Sequence, residues 1–258
     1  MSRLLLALDT ATERTTVGVA RLSEASLELI GEAVVDAPRA AMSRLLPMTE
    51  ALLAANGLTV AQVDGVIVGR GPGSFTGVRI GVATAKGLAH GLSCPLWGVS
   101  TLDAIAWSFS HVDATVAIVG DAMRGEVYPA LFECGGGSVV RLTPERVAKP
   151  ADTAAEWAAL GRPLLLAGNG LRKYAEIFAD ALGENATTAD EELWAPYAAG
   201  LFSAWAAQLA GDEHGSGDVG DVLPVYTRLS DAEENEIIAA GGTIRPAPAS
   251  GVSGGGLV

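Results

Sequence analysis

The chain has 258 residues, of which 49% are hydrophobic and 18% are charged, so it has enough apolar material for a packed core and is not a disordered chain. Its length suits one large domain or two domains of about 100 to 130 residues. The 30 acidic and 17 basic residues give a net charge of −13. This charge repels phosphate backbones, which argues against unaided binding to nucleic acid and leaves binding through a basic partner open.

The cysteine content and the lengths of the apolar runs exclude further classes of protein. Cys94 and Cys134 are too few and too far apart for a disulfide framework or a cysteine-based zinc site. The first apolar run, Leu4–Leu8, is too short for a signal-peptide core, and no run of about 18 apolar residues follows. We therefore expect a cytoplasmic protein without a membrane span.

The first part of the chain predicts three strands, a helix, a strand, a helix, a strand and a helix. The predicted strands are Arg3–Asp9, Thr15–Arg21, Leu27–Val35, Val63–Val68 and Leu96–Val99. The predicted helices are Met42–Asn56, Gly77–Gly91 and Thr101–Ser110.

The same order then restarts. The second set of strands is Ala114–Gly120, Glu126–Glu133, Ser138–Val147 and Pro163–Ala167, and its helices are Ala151–Leu160 and Leu171–Leu182. Both sets open with an apolar strand that ends at an aspartate, Asp9 or Asp121. This duplicated βββαβα pattern predicts an α/β protein with two ribonuclease-H-like lobes, each a mixed sheet flanked by helices.

The expected lobes are discontinuous in sequence. The first covers residues 1–110 and is joined by the helix 197–210, and the second covers 111–196 and is joined by 220–230. Residues 241–258 are rich in Gly, Pro and Ser, which predicts a disordered tail.

A glycine-rich segment, Gly69–Gly91, carries the strongest local signal. Gly71 and Gly73 precede Ser74 and Thr76 at a helix start, where glycines allow close backbone approach and free amides favour an anion. The alternative is a tight strand-to-helix turn capped by Ser74 or Thr76. The P-loop spacing is absent.

The helix after this loop carries a small residue at every fourth position, namely Gly77, Gly81, Ala85 and Ala89. A helix face without bulky side chains can approach a neighbouring helix closely. Packing inside its own lobe and docking of a partner helix from another chain both remain open.

Six motifs in this order resemble the TsaB family, also called YeaZ. They are LALDTAT (6–12), RLLPM (44–48), GPGSFTGVRIGVATAKGLA (71–89), DAMRGEVY (121–128), GNG (168–170) and PVYTR (224–228). The resemblance implies a fold of the actin-like ATPase superfamily and a role in making N6-threonylcarbamoyladenosine next to the anticodon of tRNAs. It also implies pairing with the paralogous TsaD, which carries the active site, through two helices of the first lobe, and a TsaE-type ATPase as a further partner.

The resemblance also indicates what this chain lacks. In TsaD-type proteins two histidines four residues apart hold a metal, and here Thr101 and Ile105 stand at those positions. Isoleucine has no lone pair for a metal, and one neutral hydroxyl is a poor ligand. We therefore expect no metal site and no catalytic residue.

Nucleotide-binding features of the superfamily survive in outline. Aspartates at the first strand of each lobe position magnesium and phosphate in the superfamily, although such aspartates are also good turn formers. The candidate nucleotide-binding residues are Asp9, Thr10, Gly71, Gly73, Ser74, Thr76, Asp121, Gly168 and Gly170.

Two functions follow as hypotheses. In the first, the chain has no active site and binds and activates a TsaD-type catalytic subunit. tRNA is then contacted only through the complex, and ATP or ADP binds at the subunit interface. Without its partner, the chain forms a homodimer. The predicted interface residues are Met42, Leu45, Leu46, Met48, Leu52, Gly77, Val78, Gly81, Ala85 and Ala89. In the second, the chain is an actin-like ATPase that binds or hydrolyses nucleotide on its own.

Overall fold

A computed structural model describes residues 2–24, 26–37, 41–211 and 216–225. The strands are β1 (Arg3–Asp9), β2 (Arg14–Leu22), β3 (Leu27–Asp36), β4 (Gly65–Gly69), β5 (Leu96–Val99), β6 (Ala114–Met123), β7 (Glu126–Gly135), β8 (Ser138–Arg141), β9 (Leu164–Ala167) and β10 (Ala186–Thr188). The helices are α1 (Ala41–Ala55), α2 (Phe75–Leu92), α3 (Thr101–Ala106), α4 (Pro150–Ala158), α5 (Leu171–Leu182) and α6 (Ala198–Ala210). No helix within these ranges is both long enough and apolar enough to cross a membrane.

The first lobe is a five-stranded mixed sheet with the order β3-β2-β1-β4-β5. Residues Leu4–Leu8 of its central strand β1 are all apolar because helices cover both faces of the sheet. Leu6 and Leu8 belong to the core beneath α1 and α2, whereas Leu5 and Ala7 face the core formed with α3 and α6. Because successive side chains of a strand point to opposite faces of the sheet, one apolar run contributes to two cores.

Helix α6 returns to the first lobe from far along the sequence. It packs against β2, where Gly18 lies so close to Ala198 that a Cβ on this glycine would overlap the alanine. The segment 216–225 also lies on the first lobe, since Gly217 O accepts a hydrogen bond from Leu96 N (3.0 Å). Residues 220–225 lie on the first lobe and not on the second as expected, since Val222 packs in the first-lobe core and Val225 N donates to Arg70 O (2.8 Å). The rest of 220–230, and the tail 241–258, lie outside the described residues.

The second lobe repeats the first, with the strand order β10-β9-β6-β7-β8. The predicted α/β fold class, with two duplicated lobes, is confirmed. The predicted strand Ser138–Val147 is wrong in length: β8 ends at Arg141, and the Thr143 hydroxyl then accepts the hydrogen bond from Leu131 N (2.9 Å). The predicted helix Thr101–Ser110 ends earlier, at Ala106, and continues as a 3₁₀ turn.

Candidate functional site

The glycine-rich loop and the start of α2 pack directly on the turn between β1 and β2. Thr10 Oγ1 donates to Gly77 O (2.6 Å), and Ser74 N donates to Ala11 O (2.7 Å). Side chains at Gly73 or Gly77 would overlap the backbone of this turn. The glycines therefore allow two backbone segments of the same lobe to meet, which is the packing alternative for this motif.

Asp9 lies at the end of β1 and is completely buried. Its Oδ2 accepts a hydrogen bond from Thr101 Oγ1 (2.6 Å), and its Oδ1 accepts one from Ala11 N (2.8 Å). Burial raises the pKa of this carboxyl to about 6, although both hydrogen bonds act in the opposite direction. Both oxygens thus have internal partners, and Thr10 beside them is also buried.

Among the other predicted nucleotide-binding residues of the first lobe, some are exposed and others are packed in the interior. Ser74 and Thr76 are exposed at the start of α2, where Ser74 Oγ accepts from Gly77 N (3.2 Å) as the helix cap. Gly71 lies below them, where its N–H donates to Thr101 Oγ1 (3.2 Å). The first-lobe candidates are thus brought together through bonds to other residues of the same lobe, namely Thr101, Ala11 and Gly77.

The second-lobe candidates surround the turn before α5. Cβ atoms on Gly168 and Gly170 would lie 2.5 and 2.8 Å from Val119 O, so this turn packs tightly on β6. Asp121 N donates to Asn169 Oδ1 (2.9 Å), and the Asp121 carboxylate accepts from Lys173 Nζ. The aspartate of the second lobe therefore also has a partner in its own lobe, and this bond raises the pKa of Lys173.

Charged side chains fill the space between these two groups. Glu13 in the β1–β2 turn accepts a hydrogen bond from Asn169 Nδ2 (2.8 Å) and forms an ion pair with Arg172 Nη1 (2.8 Å). Arg172 also pairs with Glu191, through Nε (2.6 Å). Neighbouring Arg14 bonds Asp36 Oδ1 through Nε (2.8 Å) and reaches the carbonyl of Glu192 through Nη1 (2.9 Å).

The cleft between the two lobes, which these side chains fill, is thus nearly neutral in its local charge. Arg14, Arg172 and Lys173 each have a carboxylate partner at hydrogen-bond distance. A nucleotide brings several negative charges and would have to displace these carboxylates. This arrangement does not fit a bound nucleoside triphosphate, and the nucleotide site stays a prediction.

The predicted interface residues lie on two different sides of α1 and α2. Seven are buried in the first lobe itself: Leu45, Leu52, Gly77, Val78, Gly81, Ala85 and Ala89. Met48 is half-buried against the same core. Only Met42 and Leu46 are exposed, at 76% and 49%. Leu45, Leu52, Val78, Ala85 and Ala89 contribute to the core of the first lobe, and Gly77 and Gly81 lie against Thr10. A role of these seven residues in an interface stays a prediction.

The outer side of α2 carries a second row of small residues. Ala83, Gly87 and Gly91 are exposed and follow each other at four-residue spacing. A Cβ on Gly87 or Gly91 would meet no other atom within 4 Å. We use the name outer helix face for these three residues together with the exposed Met42 and Leu46 of α1, the helix that contacts α2.

Comparison with known proteins identifies the family. A family model described as "TsaD: tRNA N6-adenosine threonylcarbamoyltransferase" matches residues 35–214. The Bacillus subtilis protein named "tRNA threonylcarbamoyladenosine biosynthesis protein TsaB" is 30% identical over 229 residues, which cover 89% of this chain and 96% of that protein. The chain belongs to the TsaB family. A protein of the same name from Escherichia coli is 40% identical over 134 residues, which cover 50% of this chain and 54% of that protein.

A solved structure of this family has the same fold. "YeaZ from Pseudomonas aeruginosa" is 33% identical and superposes with a TM-score of 0.70, covering 87% of this chain and 99% of that one. The resemblance drawn from the six motifs is therefore confirmed.

The metal positions of TsaD-type proteins do not fit a metal in this TsaB-family chain. Thr101 is fully buried and its hydroxyl already bonds Asp9 and Gly71. Ile105 is packed in the core of the second lobe. Within the described ranges, no three His, Cys, Asp or Glu side chains are grouped as metal ligands. No chemical step can be derived through a metal at these positions.

Two features of this TsaB-family chain were missed from the sequence. The bridge of Glu13 to Asn169 and Arg172 joins residues more than 150 positions apart, and no spacing signals it. A cavity of about 390 Å³ between β5, α6 and the segment 216–225 is partly walled by Trp97 and Trp205, whose rings are 5.2 Å apart. None of the predicted site residues lines this cavity.

Proposed function

We propose that this chain is a non-catalytic partner subunit in the biosynthesis of N6-threonylcarbamoyladenosine in tRNA, and that it binds and activates a TsaD-type catalytic subunit. The role in this biosynthesis rests on TsaB-named relatives that are similar over most of the chain. The binding of a TsaD-type subunit is a more specific proposal than the role in this biosynthesis, and it rests on the outer helix face.

The outer helix face is the single observation that supports docking of a partner. Small side chains at Ala83, Gly87 and Gly91 leave the α2 backbone open to close approach by another helix. Exposed Met42 and Leu46 supply apolar area beside it. A partner that covers both helices would bury about 800 Å² on each side, the size of a standard specific interface.

The interior of the cleft supports the non-catalytic part of the proposal. Asp9 and Asp121 would be the charge-bearing groups of an ATPase, and both are engaged with residues of their own lobes. Thr101 and Ile105 offer no ligand set for a metal. The hypothesis of an independent ATPase gains no observation in its favour.

The proposal is tested by affinity measurement with the TsaD-type subunit from the same genome. Gly87→Arg and Ala83→Arg place a long charged side chain on the outer helix face, and we expect at least a roughly tenfold loss of affinity, because a desolvated charge or a clash costs more than 1.4 kcal/mol. The chain itself should fold normally, since Gly87 is surrounded by open space and is not at positive φ.

Ala155→Arg is the matched control, since Ala155 is exposed on helix α4 of the second lobe. Wild-type affinity in both α2 variants, with correct folding, would remove the proposed interface. Loss of affinity in the control as well would show a non-specific effect of added charge.

Further partners stay predictions attached to this proposal. They are a TsaE-type ATPase, tRNA contacted through the complex, ATP or ADP at the subunit interface, a homodimer of the isolated chain through the same face, and a cytoplasmic location.

A further inference from the structure

Glu13 is a carboxylate of the first lobe that is bound by the second lobe. Its Oε2 accepts a hydrogen bond from Asn169 Nδ2 (2.8 Å), and its Oε1 forms an ion pair with Arg172 Nη1 (2.8 Å). The Glu13 side chain is only 14% exposed, whereas the Arg172 side chain is 44% exposed. Its backbone is held as well, since Glu13 O accepts from Ala37 N (3.2 Å).

The second-lobe groups around Glu13 have the character of an anion site. Asn169 and Arg172 flank the first residue of the 12-residue helix α5, and the beginning of a helix favours negative charge. Asn169 is itself oriented by the hydrogen bond that its Oδ1 accepts from Asp121 N (2.9 Å). An oriented amide and a guanidinium at a helix start form a charge-assisted pair of donors.

We propose that this helix start is a carboxylate-binding site which the chain fills with its own Glu13, so that the two lobes are held closed without an external ligand. The site belongs to the second lobe and its occupant to the first, and occupation therefore fixes the lobes relative to each other. The adjacent Arg14 strengthens the closure through its bond to the Glu192 carbonyl (2.9 Å). This inference is independent of the proposed partner.

The experiment removes the occupant and then replaces it from solution. In Glu13→Ala, hydrogen exchange of the backbone amides should become roughly tenfold faster in the turns 10–13 and 168–170, because closure loses a charge-assisted hydrogen-bonded pair. Sodium acetate, which supplies the missing carboxylate, should slow this exchange again, whereas sodium chloride at the same concentration should not. Neither salt should protect the wild-type turns further.

Glu13→Gln keeps the shape of the side chain and one acceptor for Asn169, so it should fold even if Glu13→Ala does not, and should show a smaller acceleration in the same turns. Glu176→Ala is the control on the same helix, since Glu176 is exposed on α5. Unchanged exchange in Glu13→Gln, or equal effects of acetate and chloride on Glu13→Ala, would overturn the proposal.

Discussion

Asp9, a candidate nucleotide-binding residue from the sequence, has both carboxylate oxygens bonded inside the first lobe. Its carboxylate is enclosed by Gly69, Thr101 and the Ala11 backbone, and a side chain at Gly69 would overlap it. Thr101 bonds both Asp9 and the Gly71 N–H, so one hydroxyl ties β1 to the glycine-rich loop. The aspartate here organises the interior of the first lobe.

The buried state of Asp9 makes a pH-dependent prediction. Its folded pKa of about 6 lies above the unfolded value of 3.8, so folding favours the protonated form, and stability falls as the pH rises from about 4 to about 6. The full cost above pH 6 is about 3 kcal/mol for a shift of about two units. Asp9→Asn cannot ionise, and its free energy of unfolding should lack this decline.

Urea denaturation of both proteins between pH 4 and pH 7.5 tests this prediction, because other titrating groups cancel in the difference. Asp180→Asn, at an exposed position of α5, is the control and should follow the wild-type curve. Parallel curves for Asp9→Asn and wild type would show that Asp9 is not the buried acid described here.

At the scale of elements, α2 has two rows of small residues with opposite surroundings. Gly77 and Gly81 face the Thr10 region of the same lobe, where a Cβ on Gly81 would lie 2.5 Å from Thr10 Oγ1. Gly87, on the outer side, has open space around it. The same residue type therefore serves internal packing in one row and leaves an accessible surface in the other.

This difference predicts opposite effects of the same substitution. Gly77→Ala and Gly81→Ala should destabilise the fold by about 1–3 kcal/mol, because the added methyl group forces the Thr10 turn away. Gly87→Ala should stabilise it by about 0.5–1 kcal/mol, because alanine loses less backbone entropy in a helix. Thermal and urea unfolding of the three variants checks the order, and equal effects at Gly81 and Gly87 would contradict the assignment of the two faces.

The sequence predicts these elements well because their signals are local. β1 is recognisable from its apolar run and α2 from its small residues, and the restart of the order at Ala114 predicts the second lobe. The direction in which α2 faces depends on Thr10, more than 60 residues earlier, and cannot be inferred from helical spacing alone. β10 was missed because its three residues, Ala186–Thr188, are short and partly polar.

At the scale of the whole molecule, a second tie joins the lobes away from Glu13. Arg141 of β8 donates through Nε to Asp103 Oδ1 (2.8 Å) and through Nη2 to Ser100 Oγ (3.1 Å), both in the first lobe. Its guanidinium also lies 4.8 Å from the centre of the Phe132 ring. Burial raises the pKa of Asp103, and Arg141 opposes this rise. The lobes are thus joined by separate ion pairs that neither lobe forms alone.

Removal of Arg141 should therefore weaken the whole molecule in a pH-dependent way. Arg141→Met keeps the length of the stem but leaves Asp103 without its cation, and should cost about 2 kcal/mol at pH 7.5. The pKa of Asp103 then rises further above its unfolded value, so the variant regains stability relative to wild type as the pH is lowered towards 5. The double variant Asp103→Asn/Arg141→Met removes the uncompensated charge and should recover part of the loss at pH 7.5.

Urea unfolding at both pH values measures these differences in stability. If the loss in Arg141→Met is equal at both pH values and unaffected by Asp103→Asn, Arg141 acts through packing on Phe132 alone.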